Sequence, residues 1–395
     1  VTLPIDRPLG SNRLPGLAAV GTLAIGLAIL CAPAIAGAAQ TVVYPGDSIQ
    51  AAVDAASPGE KIVVMPGTYM ETHGNSVAVR IKQDGIRLIG MPDGDAKVVL
   101  VPGPGNLHGI LVEPDDGEPD IEGSRIQGMT VQGFSRNGIK LEHVNDFKIL
   151  DNESIDNLEN GIQPELSANG LVRNNLSYGS LDSALWVEGG TNVRVIDNVL
   201  HSSTTGLEVT ISKDLVIVNN EMYNNTVGMG LYHPSAASEP ALPVMEDWKV
   251  LNNYIHDNNL TNGAPGGLAA LLPSGGGILL MGVSGNTIEG NRIENNDFFG
   301  LAVVDFCVAL TGAPGPCSPN PNWSGADPVP RNNEISDNEF VNNGTHPVPP
   351  WHPLAPLAAD ITEVVLDPTA NNCYEENSYA TYASITGAPA PQACP

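Results

Sequence analysis

The sequence predicts an all-β solenoid: a single-stranded right-handed parallel β-helix, closed at its start by a short helix. Three observations lead there. First, an Asn, usually preceded by Asn or Asp, recurs at Asn152, Asn175, Asn198, Asn220, Asn253, Asn291 and Asn338. The first three intervals are 23, 23 and 22 residues, and a fixed period of this order marks stacked units. Second, each period holds short β-branched runs broken by Asn or Gly, as in FKILDNESIDNLENGIQPE and LVIVNNEMYNNTVGMGLY. None carries apolar residues at the three- and four-residue spacing of a helix. Third, aromatic content is only 5%, as expected where Val, Ile and Leu fill narrow coils. Three short strands and their turns fill one period, and stacked coils lie about 4.8 Å apart in parallel register. Asn suits the corner because it tolerates the left-handed backbone region, and its amide can both donate and accept along the stack.

Residues 1–39 stand apart. Arg7 and Arg13 precede the apolar run LAAVGTLAIGLAILCAPAIAGAA, and Ala34/Ala36 or Ala36/Ala38 fit a small-residue cleavage site. This reads as a secretory signal peptide, the alternative being an uncleaved anchor. The expected location is therefore secreted, periplasmic or cell envelope, with no membrane attachment after cleavage. The helix SIQAAVDAA follows, with Asp47 or Ser48 as its cap. It would cover the open strand edges of the first coil. Irregular coils lead to the regular array, which starts near Arg125.

The later Asn intervals grow to 33, 38 and 47 residues. Loop insertions are expected near 233–244, 262–274 and 306–330, and such insertions cluster on one face of a solenoid. The outward pairs Leu279/Met281 and Ala302/Val304 are expected to lie beneath them, leaving an open groove over coils 140–232. The Pro/Ala-rich tail, 346–395, is expected to pack outside or cap the last coil. After signal removal four cysteines remain, and an even number in an exported chain suggests disulfides. The local pairs Cys307–Cys317 and Cys373–Cys394 are favoured among three possible pairings.

Seventeen basic residues against 44 acidic give a net charge of −27. Such a surface repels nucleic acid and anionic membrane. It also disfavours polyanionic sugars unless a divalent cation bridges them. The histidines show no zinc-enzyme spacing.

The segment SIQAAVDAASPGEKIVVMPGTY, followed by N-N/G-I coils, resembles the right-handed β-helix superfamily of pectate lyases. VIVNNEMYNNTVGMGLYHP, VLNNYIHDNN, PSGGGILLMG and FFGLAVVDF more closely resemble exported bacterial parallel β-helix repeat proteins of unassigned activity. The resemblance covers roughly residues 41–345 and implies the fold, with a polysaccharide as partner. It transfers no catalytic set. Tyr232-His233-Pro234-Ser235 lacks both aspartates of the Asp-Pro-His-Asp motif of mannuronan epimerases. The Asn-Thr-Asp and Gly-His-Gly elements of polygalacturonases are absent, and arginines are few.

Strand alternation supplies the candidate site. In GIKLEH, Ile139 and Leu141 point inward, so Lys140 and Glu142 point outward. One outward column then reads Lys140, Gln163, Trp186, Glu208, Gly230, and the other Glu142, Glu165, Glu188, Thr210, Tyr232. Glu142, Glu165 and Glu188 would stack at one-coil spacing. That arrangement raises a carboxyl pKa, recruits Ca2+ as a hard cation with oxygen ligands, or leaves an idle solvated face. Two such carboxylates also suit glycoside hydrolysis. Tyr232 and His233 are the candidate proton shuttles, and Lys140 the candidate partner for a substrate carboxylate. Trp186, Glu208 and Gln163 are the candidate sugar contacts. The expected function is an exported protein acting on or binding a polysaccharide, by lyase or C5-epimerase chemistry. The alternative is a non-catalytic binding or structural solenoid of the envelope.

Overall fold

The computed structural model describes residues 40–232, 246–311, 327–347 and 354–395. The expected signal peptide, the whole first insertion with His233, part of the third with Cys317, and residues 348–353 of the tail lie outside the described residues. Strands wind through three parallel sheets as a right-handed β-helix. The first sheet runs from Gln40–Val43 to Cys373–Glu375, the second from Gly67–Met70 to Glu339–Val341. The third runs from Val77–Ile81 to Ala359–Val364 and ends on Tyr382–Ser384.

The capping helix spans Ile49–Ala55, with Ser48 as N-cap accepting from the Ala51 N–H at 3.0 Å. Buried Glu71 completes the cap by accepting from the Ile49 N–H at 2.7 Å and the Ser48 hydroxyl at 2.6 Å. A carboxylate at the helix N-terminus also favours the helix dipole. Ile49 and Val53 drop into the core of the first coils. Inside the solenoid, inward Ile, Leu and Val from all three sheets form one continuous apolar column.

The Asn ladder holds one corner. The backbone N–H and Nδ2 of Asn152 donate to Asn175 Oδ1 at 3.0 and 3.1 Å. The same pair of bonds runs from Asn175 to Asn198 at 2.9 Å each. It continues through Asn220, Asn253, Asn291 and Asn338 to Asn377. One expectation is corrected here. The left-handed turn residue is the one before each ladder Asn: Asp151, Asn174, Asp197 and Asn219 have φ of 54°, 58°, 55° and 56°. The predecessor turns the exposed backbone, which leaves the buried Asn to make the bonds. A second buried ladder lies five residues on. It passes from Ser180 through Ser203, Asn225, Asn258, Asn296 and Asn343 to Asp360.

The tail does more than lie outside. Cys373–Glu375 pairs with Glu334–Ser336 in the first sheet, and Tyr382–Ser384 with the third. The expected Cys373–Cys394 disulfide is formed. Among the described residues no helix is long and apolar enough to cross a membrane.

Candidate functional site

The outward columns form as the repeat dictates. Lys140 pairs with Gln163 and Glu142 with Glu165 between adjacent strands. Glu165 pairs with Glu188. Trp186 then pairs with Glu208, Glu188 with Thr210, Glu208 with Gly230 and Thr210 with Tyr232. All lie on the outer face of the third sheet, because Leu141, Leu185, Val187, Leu207, Val209, Met229 and Leu231 take the inner positions.

At the Lys140 end the strip is half-buried, apart from the buried Gln163, and net negative, with Lys140 set against Glu142, Glu165 and Glu188. Lys140 Nζ lies 2.6 Å from Glu165 and 3.0 Å from Glu142. Burial alone would lower the Lys140 pKa, but the hydrogen bonds and charges of Glu165 and Glu142 outweigh it and raise it. Lys140 is thus a fixed cation, not a base, and its ammonium is already shared. Gln163 accepts from Asn137 Nδ2 at 2.9 Å and donates to Glu188 at 3.1 Å. Trp186 donates its indole N–H to Thr210 Oγ1 at 3.0 Å, which pins the ring along the sheet.

The far end is different, and the expectation of an open groove as far as residue 232 is corrected. Glu208 and Tyr232 are only 8% and 1% exposed. Tyr232 joins an outer apolar cluster with Leu272, Leu279, Met281, Phe298 and Phe299. Its ring folds back over Gly230, where an added Cβ would sit 2.0 Å from Tyr232 Cζ. The phenol thereby comes under the influence of Glu208 and Thr205. Tyr232 Oη and Thr205 Oγ1 interact electrostatically but do not close a hydrogen bond, so both are buried polar atoms without a partner. Such an atom costs about 1–3 kcal/mol, and in a native fold it calls for an explanation.

Glu208 accepts from the Ser183 hydroxyl at 2.6 Å. Burial first, then the charges of Asp182 and Glu188, push its pKa up to about 8 against the opposing Ser183 bond. Asp182 rises to about 6, through burial and the charge of Glu159. Burial and Glu208 also hold the Tyr232 phenol well above its usual range, so it stays neutral. This end therefore holds a protonated acid, a second carboxyl that titrates below it, and a neutral phenol. Asp182, Ser183 and Thr205 escaped sequence analysis because they sit at strand starts, outside the alternating columns. The only signal for Asp182 was its place just before the strand Ser183–Glu188.

Among the described residues no three His, Cys, Asp or Glu side chains converge with metal-site geometry. His201 is stacked between Tyr178 and Tyr223. His256 is held by Asp257 at 2.8 Å and Glu221 at 3.2 Å. Asp305 does not close a local turn through this side chain but ties the end of its strand to a distant segment, accepting from the Leu366 N–H at 3.1 Å.

Comparison with known proteins yields fold relatives. The structure is similar to the A-module of mannuronan C-5 epimerase AlgE4 of Azotobacter vinelandii, with TM-score 0.62 and 18% identity over 85% of this chain and 91% of that one. The AlgE6 A-module of the same organism follows, with TM-score 0.55 and 17% identity over 85% and 92%. DFA-IIIase from Arthrobacter chlorophenolicus A6, in complex with DFA-III, gives TM-score 0.52 and 14% identity over 85% and 80%. No curated protein matches by sequence. The family model described as periplasmic copper-binding protein (NosD) matches residues 72–267 and 122–348. The matched span takes in most of the coils, and the chain belongs to the NosD family.

Proposed function

We propose that this protein is an exported polysaccharide-active β-helix, with the outer strip from Lys140 to Tyr232 as its working surface. One observation carries the reading. A solvent-accessible strip of hydrogen-bonding side chains and one Trp runs into a buried, electrostatically coupled acid–phenol cluster whose polar atoms are not all paired. Polar groups left unpaired beside perturbed acids fit a site awaiting a ligand. The AlgE4, AlgE6 and DFA-IIIase names point to saccharide substrates for those proteins and support the same class here. The word periplasmic in the family description, the leader-like residues 1–39 and the Cys373–Cys394 disulfide support export.

Trp186 and Glu188 would contact the sugar, the buried Gln163 would hold Glu188 in place, and Glu208 and Tyr232 would exchange protons with the sugar. His233 remains a candidate partner for Tyr232. Ca2+ at Glu142, Glu165 and Glu188 would have to displace the Lys140 ammonium from two of them. Calorimetric calcium binding that the triple Glu→Gln variant loses would support it.

Among the described residues the His, Cys, Asp and Glu side chains do not converge on a copper centre. Copper sites favour converging His, Cys or Met ligands, whereas these histidines are separately engaged and Cys373 and Cys394 are joined. No step is routed through copper.

Affinity electrophoresis against a polysaccharide panel tests the reading. Retardation on one glycan, weakened about tenfold in Trp186→Ala, is the expected result. Mobility unchanged on every glycan would reject it. Retardation without turnover would favour the non-catalytic solenoid.

A further inference from the structure

We propose that the outer face of the first sheet binds a polyuronate, a linear polysaccharide with one carboxylate on each sugar. The choice of a polysaccharide among polyanions rests on the reading above. The face itself is separate from the strip between Lys140 and Tyr232.

Lys61, Arg87, Arg125 and Lys148 stand at one register position on successive coils. Leu171 takes that position on the next coil, but Arg173, two residues on, points the same way, and Arg194 resumes the column. These cations point outward because Ile62, Leu88, Ile126, Ile149, Val172 and Val195 alternate with them on the inside. Each coil from Lys61 to Arg194 thus presents one cation. At about 4.8 Å per coil the row spans about 24 Å. Lys249 follows after the coil of Val216.

These cations are uncommitted. None has a carboxylate partner among the described residues, whereas every other described Lys and Arg is ion-paired. Arg87 donates to the Gly59 carbonyl at 3.1 Å and Arg125 to the Gln127 amide, both neutral acceptors. Arg125 Nε is buried with no partner. Lys148, Arg173 and Arg194 are exposed. In a chain of net charge −27 acids are in excess, yet the unpaired cations gather on one face. Val63, Ile89, Leu150 and Ile196 fill neighbouring outward positions. Charges on such an apolar floor are less screened by water.

The shape of the row selects the partner. Exposed Asp146 and Asp214 stand at the turns on one margin, and exposed Asp151 and Asp197 on the other. A flat anionic membrane or a duplex would meet those aspartates as well as the cations, while a single chain lies between them. A nucleic acid strand carries a charge every ~3.4 Å, denser than one cation per coil. It would also find no aromatic side chain among these outward positions for its bases to stack on. A polyuronate carries one carboxylate per sugar, and one pyranose ring advances its chain by close to one coil step.

The test is binding of fluorescently labelled alginate and polygalacturonate oligomers to the exported chain. Chelator is present, so that no divalent cation bridges acid to acid. Xylan oligomers, phosphatidylglycerol vesicles and oligo-dT run beside them. The expected result is uronate binding that weakens as sodium chloride is raised. It should fall about tenfold when Lys148→Gln, Arg173→Gln and Arg194→Gln are combined. Should that variant fail to fold, each single substitution is read instead, for about a twofold loss. Combining Lys82→Gln, Lys97→Gln and Arg292→Gln removes the same charge elsewhere on the molecule and should leave uronate binding unchanged. An equal loss in that control would overturn the proposal, because bulk charge would then account for the binding. Uronate binding that survives the first triple variant and is lost in Trp186→Ala would also overturn it, while leaving the polysaccharide reading intact. So would binding of xylan without uronates. Binding of vesicles or oligo-dT without uronates would overturn it in favour of a membrane or a nucleic acid. No binding of any glycan would overturn both.

Discussion

The outer face of the third sheet is two surfaces on one scaffold. From Lys140 to Glu188 its outward residues are polar or amphipathic and, apart from the buried Gln163, half-buried, tied to one another by ion pairs and hydrogen bonds. From Leu279 to Val304 they are apolar and covered by Leu268, Leu272, Leu354 and Leu357. The strand length and the in-register parallel pairing are the same in both halves. The coils thus supply a ruler, and the residues at outward positions decide whether a stretch of it becomes a working strip or a docking floor for the chain's own loops. Glu208 and Tyr232 sit at the seam. There the loops dry the surface, and drying raises the pKa of the acid.

The contrast can be broken from the apolar side. Met281 is buried outside the solenoid, so Met281→Ala should cost about 3 kcal/mol in chemical denaturation. The Asn ladder beneath should keep its hydrogen-exchange protection. Loss of protection along the ladder would show that the cover and the coils unfold together.

A smaller effect is expected at the seam. Gly230→Ala places a methyl where the Tyr232 ring now lies, so the ring must move. The expected cost is about 1–3 kcal/mol, and turnover should fall with it. An unchanged melting temperature would mean that the ring does not rest on Gly230 in solution.

The smallest stability effect is the sharpest. Tyr232→Phe removes a buried hydroxyl that has no partner. Stability should hold or rise by up to about 1 kcal/mol, while activity drops. A clear loss of stability would show instead that the hydroxyl is bonded in solution, and would return Tyr232 to a structural role.

Much of this was legible in the residues. The columns from Lys140 to Tyr232 could be written from the 23- and 22-residue intervals, because in-register parallel coils turn sequence period directly into spatial stacking. The second ladder was legible too, in the five-residue offset of Asn220/Asn225, Asn253/Asn258, Asn291/Asn296 and Asn338/Asn343. It was missed because Ser180 and Ser203 interrupt it. The pairing of Lys140 with its neighbouring glutamates followed from the same columns.

What the sequence determined by itself is the β-helix, its register, its capping helix and the identity of the residues presented outward. Those follow from local periodicity, where each coil repeats the constraints of the last. Only the tertiary structure decided which of those residues are dry. The burial of Tyr232 depends on residues such as Leu272 and Phe298, brought over it by segments that break the period. The raised acids Glu208 and Asp182 depend on desolvation summed over several coils. Desolvation is a property of everything packed around a group, and no repeat in the chain encodes it.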